Sequence, residues 1–202
     1  MVRVLCLFCF LLLSGTCSAL EIWRVAACSG VVLRLRGDFE DGDYARVKSQ
    51  FRKADVVIGL DLSSDGGVFE EGVLIANLAR QKKLSVYIAE ECNSICAFVF
   101  FSAAKRYLAQ DSRIGVHSIS NYRYIEDLSS MRLTLKLARL WAKLGVPEAA
   151  IGKLVTTRPS NITYLDAADL SGLDTSVGNP FHYQRPEKSS GAAEEQQQSC
   201  SG

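Results

Sequence analysis

The segment Asp55-Val56-Val57-Ile58-Gly59-Leu60-Asp61-Leu62 is almost unbroken in its apolar character. A strand that alternated apolar and polar residues could leave one face in water, but a continuous run of this kind belongs to a strand covered on both faces, as in a parallel sheet. Parallel neighbours cannot be joined by a tight hairpin and need a crossover, usually helical. The following residues supply one. Ser63-Ser64-Asp65-Gly66-Gly67 reads as a turn, and from about Glu70 to Lys82 the positions Val73, Leu74, Ala76, Asn77, Leu78 and Ala79 give a helix its inner side. Ser85-Val86-Tyr87-Ile88 is the next strand. Upstream, Val31-Val32-Leu33-Arg34-Leu35 reads as a strand, Gly37 to Gly42 as a turn, and Tyr44, Val47 and Phe51 recur at helical spacing through about Ala54.

Downstream the alternation continues. Glu90 to Asn93 turns the chain into a helix from about Ser94 to Ala104, and short strands follow near Arg106–Leu108 and Arg113–Val116, the latter ending at His117. Leu133, Leu137, Leu140 and Leu144 mark a long amphipathic helix closed by Gly145 and Pro147. A shorter helix spans Ala149 to Val155, and Asp166 to Leu170 reads as a last helical turn stopped at Gly172. Strands alternating with helices predict an α/β domain with a largely parallel sheet and flanking helices. Active sites in such sheets lie at the carboxyl ends of the strands. The Ser63–Gly67 turn, Ser94 and His117 all fall at such ends.

The ends of the chain bear on the chemistry available to it. An apolar run from Val2 to Leu13 follows the early cation Arg3, and small residues from Ser14 to Ala19 close it, the pattern of a secretory signal peptide cut after Ala19. The run is shorter than the roughly 20 residues a permanent membrane anchor needs. Lipidation at Cys17 lacks the usual apolar residue three positions before it. The expected organisation is a signal peptide at 1–19, one α/β domain at 20–179 and a disordered tail at 180–202, where Ser, Gly, Glu and Gln take over. The expected location is periplasmic or secreted. Lys and Arg number 23 against 22 Asp and Glu, with the signs interspersed, so no basic patch points to nucleic acid or a membrane surface. Of seven cysteines, Cys28, Cys92, Cys96 and Cys200 remain after cleavage, in a compartment where disulfides form.

The stretch Glu91-Cys92-Asn93-Ser94-Ile95-Cys96-Ala97 sets a serine at a strand-to-helix elbow. A serine hydroxyl is a weak nucleophile until a base takes its proton, and the tetrahedral intermediate it forms needs backbone donors. Ile95 stands at the helix start, where N–H groups have no intrahelical partner. Gly66 and Gly67 leave room for a substrate carbonyl and are the candidates for a second donor. His117 is the one histidine outside the tail region and hence the candidate base. Taken singly, each feature has a plainer reading: an N-cap, a turn, a surface histidine. Catalysis is carried only by their ordered combination. At an elbow, Cys92 precedes the helix and Cys96 lies one turn into it, which predicts a Cys92–Cys96 disulfide, with two small buried thiols as the other reading. Cys28 and Cys200 are then free or joined to each other. A metal site on Cys92 and Cys96 lacks two further ligands, so neither metal nor cofactor is expected.

The ordered set Leu62-Ser63-Ser64-Asp65-Gly66-Gly67, Cys92-Asn93-Ser94-Ile95-Cys96-Ala97 and Ile114-Gly115-Val116-His117 resembles the proteolytic-subunit family of Clp proteases, within the larger Clp protease and crotonase fold. The resemblance extends over about Leu33 to Leu173, and the leader and paired cysteines are similar to an exported bacterial branch of that fold. It implies a spiral of ββα units, a nucleophilic Ser94, a base at His117, and oxyanion donors at Gly66 or Gly67 with Ile95. The family's third member is an aspartate. The analogous segment here, Pro159 to Leu165, offers Asn161, with Asp166 as the rival orienter. Asp65 stands where the family has proline, and Ile95 is bulkier than the usual residue, both narrowing the cleft. The resemblance further implies peptide or protein substrates and homo-oligomeric assembly through the long helix after His117. The ATP-driven unfoldases of the cytosolic enzymes are not expected outside the cytosol, which restricts substrates to short or unfolded peptides. Two other readings stand beside the hydrolase: a silent scaffold, motivated by Asn161, and acyl-CoA chemistry, which an exported chain would rarely meet.

Overall fold

The computed structural model describes residues 19–123 and 125–183. Two strands, β1 (Glu21–Ala27) and β2 (Gly30–Arg36), form an antiparallel hairpin that opens the sheet. Helix α1 (Asp43–Gln50) leads to β3 (Val57–Ser64), which lies parallel to β2, and α2 (Phe69–Gln81) crosses over to β4 (Ser85–Asn93), parallel to β3. After α3 (Ile95–Phe101) come β5 (Lys105–Leu108), β6 (Arg113–Val116), α4 (Leu128–Lys143), α5 (Glu148–Thr156) and two short strands, β7 (Thr163–Tyr164) and β8 (Ser176–Val177). All eight strands belong to one sheet.

That sheet forks at β4. Its first half, Ser85–Ile88, pairs with β5, whereas its last residues, Glu91–Asn93, pair with β6 in register Asn93↔Gly115. Strand β7 then adds to β6 in the antiparallel sense, with Val116↔Thr163. The fork brings the ends of β3, β4 and β6 to one place.

The principal core lies between one sheet face and the helices. Leu33, Leu35, Leu60, Leu62 and Ile88 meet Ile75, Ala79, Phe100, Phe101 and Trp141, all buried. All seven residues of α3 are buried, and Phe101 packs edge-on against Trp141 at 4.7 Å. A helix with no polar face cannot sit at a surface, so the apolar run Ile95–Phe101 has to be driven into the middle of the molecule. The opposite face carries a smaller cluster of Val32, Tyr87, Ala89 and Phe181. The Phe181 ring occupies the space over Gly59, where a Cβ would come within 2.2 Å of it, and the Tyr183 hydroxyl donates to Asp61 at 2.7 Å. The chain thus packs on the sheet as far as Tyr183, four residues past the boundary that composition indicates; residues 184–202, with Cys200, and the leader up to residue 18 lie outside the described residues.

Several elements differ from their sequence-based extents for identifiable reasons. Strand β3 runs through Ser63 and Ser64, because both still find ladder partners in Arg36 and Cys92. Strand β4 continues to Asn93 because β6 replaces β5 as its neighbour, so the reversal before α3 consists of Ser94 alone. Segment 166–170 is a single turn, closed by Leu170 N–H on the Asp166 carbonyl at 3.3 Å and by reciprocal bonds between Asp166 and Asp169, and it does not extend into a helix. Strand β1 carries half-buried and exposed residues in mixed order, as befits a sheet edge, so no continuous apolar run marks it.

Candidate active site

Ser94 joins a buried strand to a buried helix with φ 56 and ψ −125. The left-handed well for non-glycine residues requires a positive ψ. A conformation this far from it costs on the order of 1–3 kcal/mol and persists only where its surroundings impose it. They do so here from several sides. The Ser94 N–H donates to the Gly115 carbonyl on β6 at 2.9 Å, and its own carbonyl accepts from Ala97 N–H at 3.1 Å. A disulfide joins Cys92 on β4 to Cys96 on α3, with Cα atoms 5.2 Å apart, so the elbow is closed covalently across the serine. Between Cys92 and Ala103, Ser94 is the one residue that is not buried. Cys28 is disulfide-bonded as well.

The glycine turn lies directly against this elbow. A Cβ on Gly66 would sit 2.7 Å from Ser94 Cβ and 3.2 Å from its Oγ, so only glycine permits the approach. The turn is fastened from behind, where the Gly66 carbonyl accepts from Phe39 N–H at 2.7 Å. The Gly66 N–H donates to Ser64 Oγ at 3.1 Å and is therefore occupied. Gly67 is exposed and its N–H has no acceptor among the described residues. Ile95, the first residue of α3, likewise has no intrahelical acceptor for its N–H. Its side chain fits against Gly72 of α2, where a Cβ would come within 2.3 Å of it.

His117 leaves the end of β6. The Ser94 N–H bond to the Gly115 carbonyl sets the elbow against the same end of β6 that His117 follows. The half-buried ring places Nδ1 2.8 Å from the Ser118 carbonyl. A carbonyl only accepts, so Nδ1 carries a proton, and it is Nε2 that holds the lone pair whenever the ring is neutral. Ser94 Oγ and His117 do not hydrogen-bond to each other in this structure.

The third position resolves differently from the residues named on sequence. Asn161 is exposed, its Oδ1 accepts from Ser160 Oγ at 3.2 Å, and it forms no bond to His117. Asp166 accepts from Asp169 N–H at 2.9 Å and stands 3.8 Å from Lys153 Nζ, also without touching the imidazole. The physical reason is that β7 pairs with β6 only from Thr163 onward, leaving Asn161 in the loop before it. The group that orients His117 is the backbone carbonyl of its own neighbour, which no side-chain pattern signals.

Sequence reasoning also missed a polar cluster beside the elbow. Asn93 Nδ2 donates to Asp65 Oδ1 at 2.8 Å and to Glu91 Oε2 at 3.3 Å. Tyr164 OH donates to Glu91 at 2.9 Å, Arg113 forms an ion pair with it, and the Arg113 guanidinium lies 4.4 Å over the Tyr164 ring. Desolvation pushes the Glu91 carboxyl up, but the bonds from Tyr164, Asn93 and Arg113 outweigh it and hold the group below its usual range. Asp38 is raised, by desolvation first and then by the charge of Asp65. Among the described residues no cluster of side chains could hold a metal ion.

No protein-family model matches the chain, and no curated protein matches it. Among solved structures it is similar to a point mutant of ClpP1 from Listeria monocytogenes, at 17% identity and a TM-score of 0.56, over 74% of this chain and 92% of that one. The fold is therefore Clp protease-like.

Proposed function

We propose that the chain is an exported serine hydrolase, a peptidase acting without an ATPase partner on short or unfolded peptides. The observation that carries this reading is the backbone of Ser94: a serine held at φ 56 on a one-residue strand-to-helix reversal, and alone unburied in its segment. A strand partner, a disulfide and a buried helix together impose this strain on a serine, which is how a nucleophile is presented at a sharp strand-to-helix turn.

In the proposed reaction Ser94 Oγ attacks the peptide carbonyl as His117 Nε2 removes its proton. The oxyanion is received by the N–H groups of Gly67 and Ile95; Gly66 serves by its lack of a side chain. Collapse breaks the C–N bond, His117 protonates the departing amine, and water releases the acyl group from Ser94 by the reverse sequence. The Ser118 carbonyl fixes the imidazole tautomer, so the centre works as a dyad with backbone support, and Asn161 is left a minor part. Rotation of the serine or imidazole completes the Ser94–His117 bond when substrate binds, catalytic hydrogen bonds commonly tightening only then. The ββα succession is read as the spiral of the Clp protease and crotonase fold, and residues 1–19 as a leader directing the chain to the periplasm or beyond. Assembly of several copies is read from α4, where Leu128, Met131 and Leu135 are exposed along one side.

The second reading, a silent scaffold, is favoured by the absent Ser94–His117 bond. A fluorophosphonate probe applied to the mature protein separates the two. Labelling that maps to Ser94 and vanishes in Ser94→Ala supports the hydrolase; a folded protein that takes no label supports the scaffold.

A further inference from the structure

We infer that Asn93 is a positioning residue that ties the glycine turn to the serine elbow, so that the two donors of the oxyanion hole keep a fixed separation. The inference rests on the reading of Ser94 as nucleophile. The two donors come from different crossovers, Gly67 from the β3–α2 turn and Ile95 from the β4–α3 elbow. Their separation is not fixed by either turn alone. Among the described residues, the bond from Asn93 Nδ2 to Asp65 Oδ1, 2.8 Å, is the one side-chain hydrogen bond from Asp65, Gly66 or Gly67 to β4 or α3.

Its geometry is suited to that task. Asn93 immediately precedes Ser94 and is 1% exposed. Its amide fills the space left by Gly115, where a Cβ would come within 2.2 Å of Oδ1, so the side chain has no room to swing. The two hydrogens of Nδ2 meet two carboxylates, Asp65 and Glu91. Between two acceptors only a donor is stable, which fixes the orientation of the amide as well. Glu91 is in turn held by Tyr164 and Arg113, so the bracket is anchored on β4, β6 and β7. Asp65 stands one residue from Gly66 and two from Gly67. A displacement of about 1 Å in such a site lowers rates by as much as 10²-fold.

The test uses the full mature chain with Asn93→Ala, Asp65→Ala, their double variant, and Asp65→Asn, which keeps an acceptor for the amide. Asp65 is exposed, so its variants should fold even if Asn93→Ala does not. Two readouts are taken: the rate constant of Ser94 acylation by a fluorophosphonate at saturating probe, and hydrogen exchange at the Gly66 amide, which is buried and bonded to Ser64 Oγ. The expected result is a drop of about 10- to 100-fold in the acylation constant for each alanine variant, without a matching loss of probe affinity. The double variant should be no slower than the singles, Asp65→Asn should stay close to the parent, and Gly66 exchange should rise in both singles. Singles that acylate like the parent, or losses that multiply in the double variant, would overturn the inference. If the parent takes no label, the hydrolase reading fails by itself; Gly66 exchange then decides the bracket, and an unchanged rate in Asp65→Ala would overturn it.

Discussion

Lys83 and Ser94 have nearly the same φ, 52 and 56, yet they occupy opposite situations. Lys83 is exposed and ends α2 in the ordinary way: its N–H donates to the Arg80 carbonyl, and Leu84 N–H reaches back to Ala79. Those bonds satisfy carbonyls that any helix end leaves open, so the local chain explains the angle. Ser94 has no such explanation. It ends no helix, it lies between a buried strand and a buried helix, and its angle is held by a strand partner, a disulfide and the packing of α3. Positive φ by itself is thus uninformative. It becomes evidence of function where distant parts of the chain cooperate to impose it.

Perturbing the two positions and their supports tests that contrast. The largest effect is expected from His117→Ala, which should slow labelling of Ser94 by about 10²–10⁴-fold, while Lys83→Ala leaves the labelling rate unchanged. Equal labelling of the His117 variant and the parent would mean that Ser94 is activated by something other than this imidazole. Next comes the paired change Cys92→Ala with Cys96→Ala. Loss of so short a covalent loop should lower unfolding free energy by about 2 kcal/mol, read from a denaturant midpoint, and labelling should slow with it; labelling at the parental rate would show that core packing alone holds the turn. A smaller effect, of opposite sign, is expected from Lys83→Gly. Relief of the left-handed backbone should raise stability by about 0.5–1 kcal/mol in thermal unfolding, with no change in reactivity. The smallest belongs to Asn161→Ala, whose labelling rate should stay within about threefold of the parent, as for an exposed side chain outside any network. A large loss there would return Asn161 to the catalytic centre.

Much of the architecture was open to reading from residues, because its causes are local. The apolar run within Asp55–Leu62 reads as an interior strand, which begins at Val57 with Val56 left exposed, and the spacing from about Glu70 to Lys82 presents one side of a helix inward. The order of turn, serine and histidine along strand ends was equally legible. The fork of the sheet was not. Nothing in Ser85–Asn93 tells that β5 pairs with its first half and β6 with its last, and that exchange lengthens β4 and reduces the elbow to a single residue.

Residue types and their order along the chain were thus sufficient to nominate Ser94, His117 and the two glycines, since a hydroxyl, an imidazole and a bare turn have chemical capacities independent of context. Which atoms they would meet was decided by tertiary structure. The Ser118 carbonyl, not a side chain, became the partner of His117; Gly66 spent its N–H on Ser64 and left Gly67 as the open donor; Asn93 came to lie between Asp65 and Glu91. The bonds of His117, of Gly66 and of Asn93 to Glu91 join near neighbours whose backbone angles the fold sets, whereas the bond from Asn93 to Asp65 spans 28 positions and exists only because β3 pairs with β4; a hydrogen bond is decided by a few tenths of an ångström that the packed sheet sets.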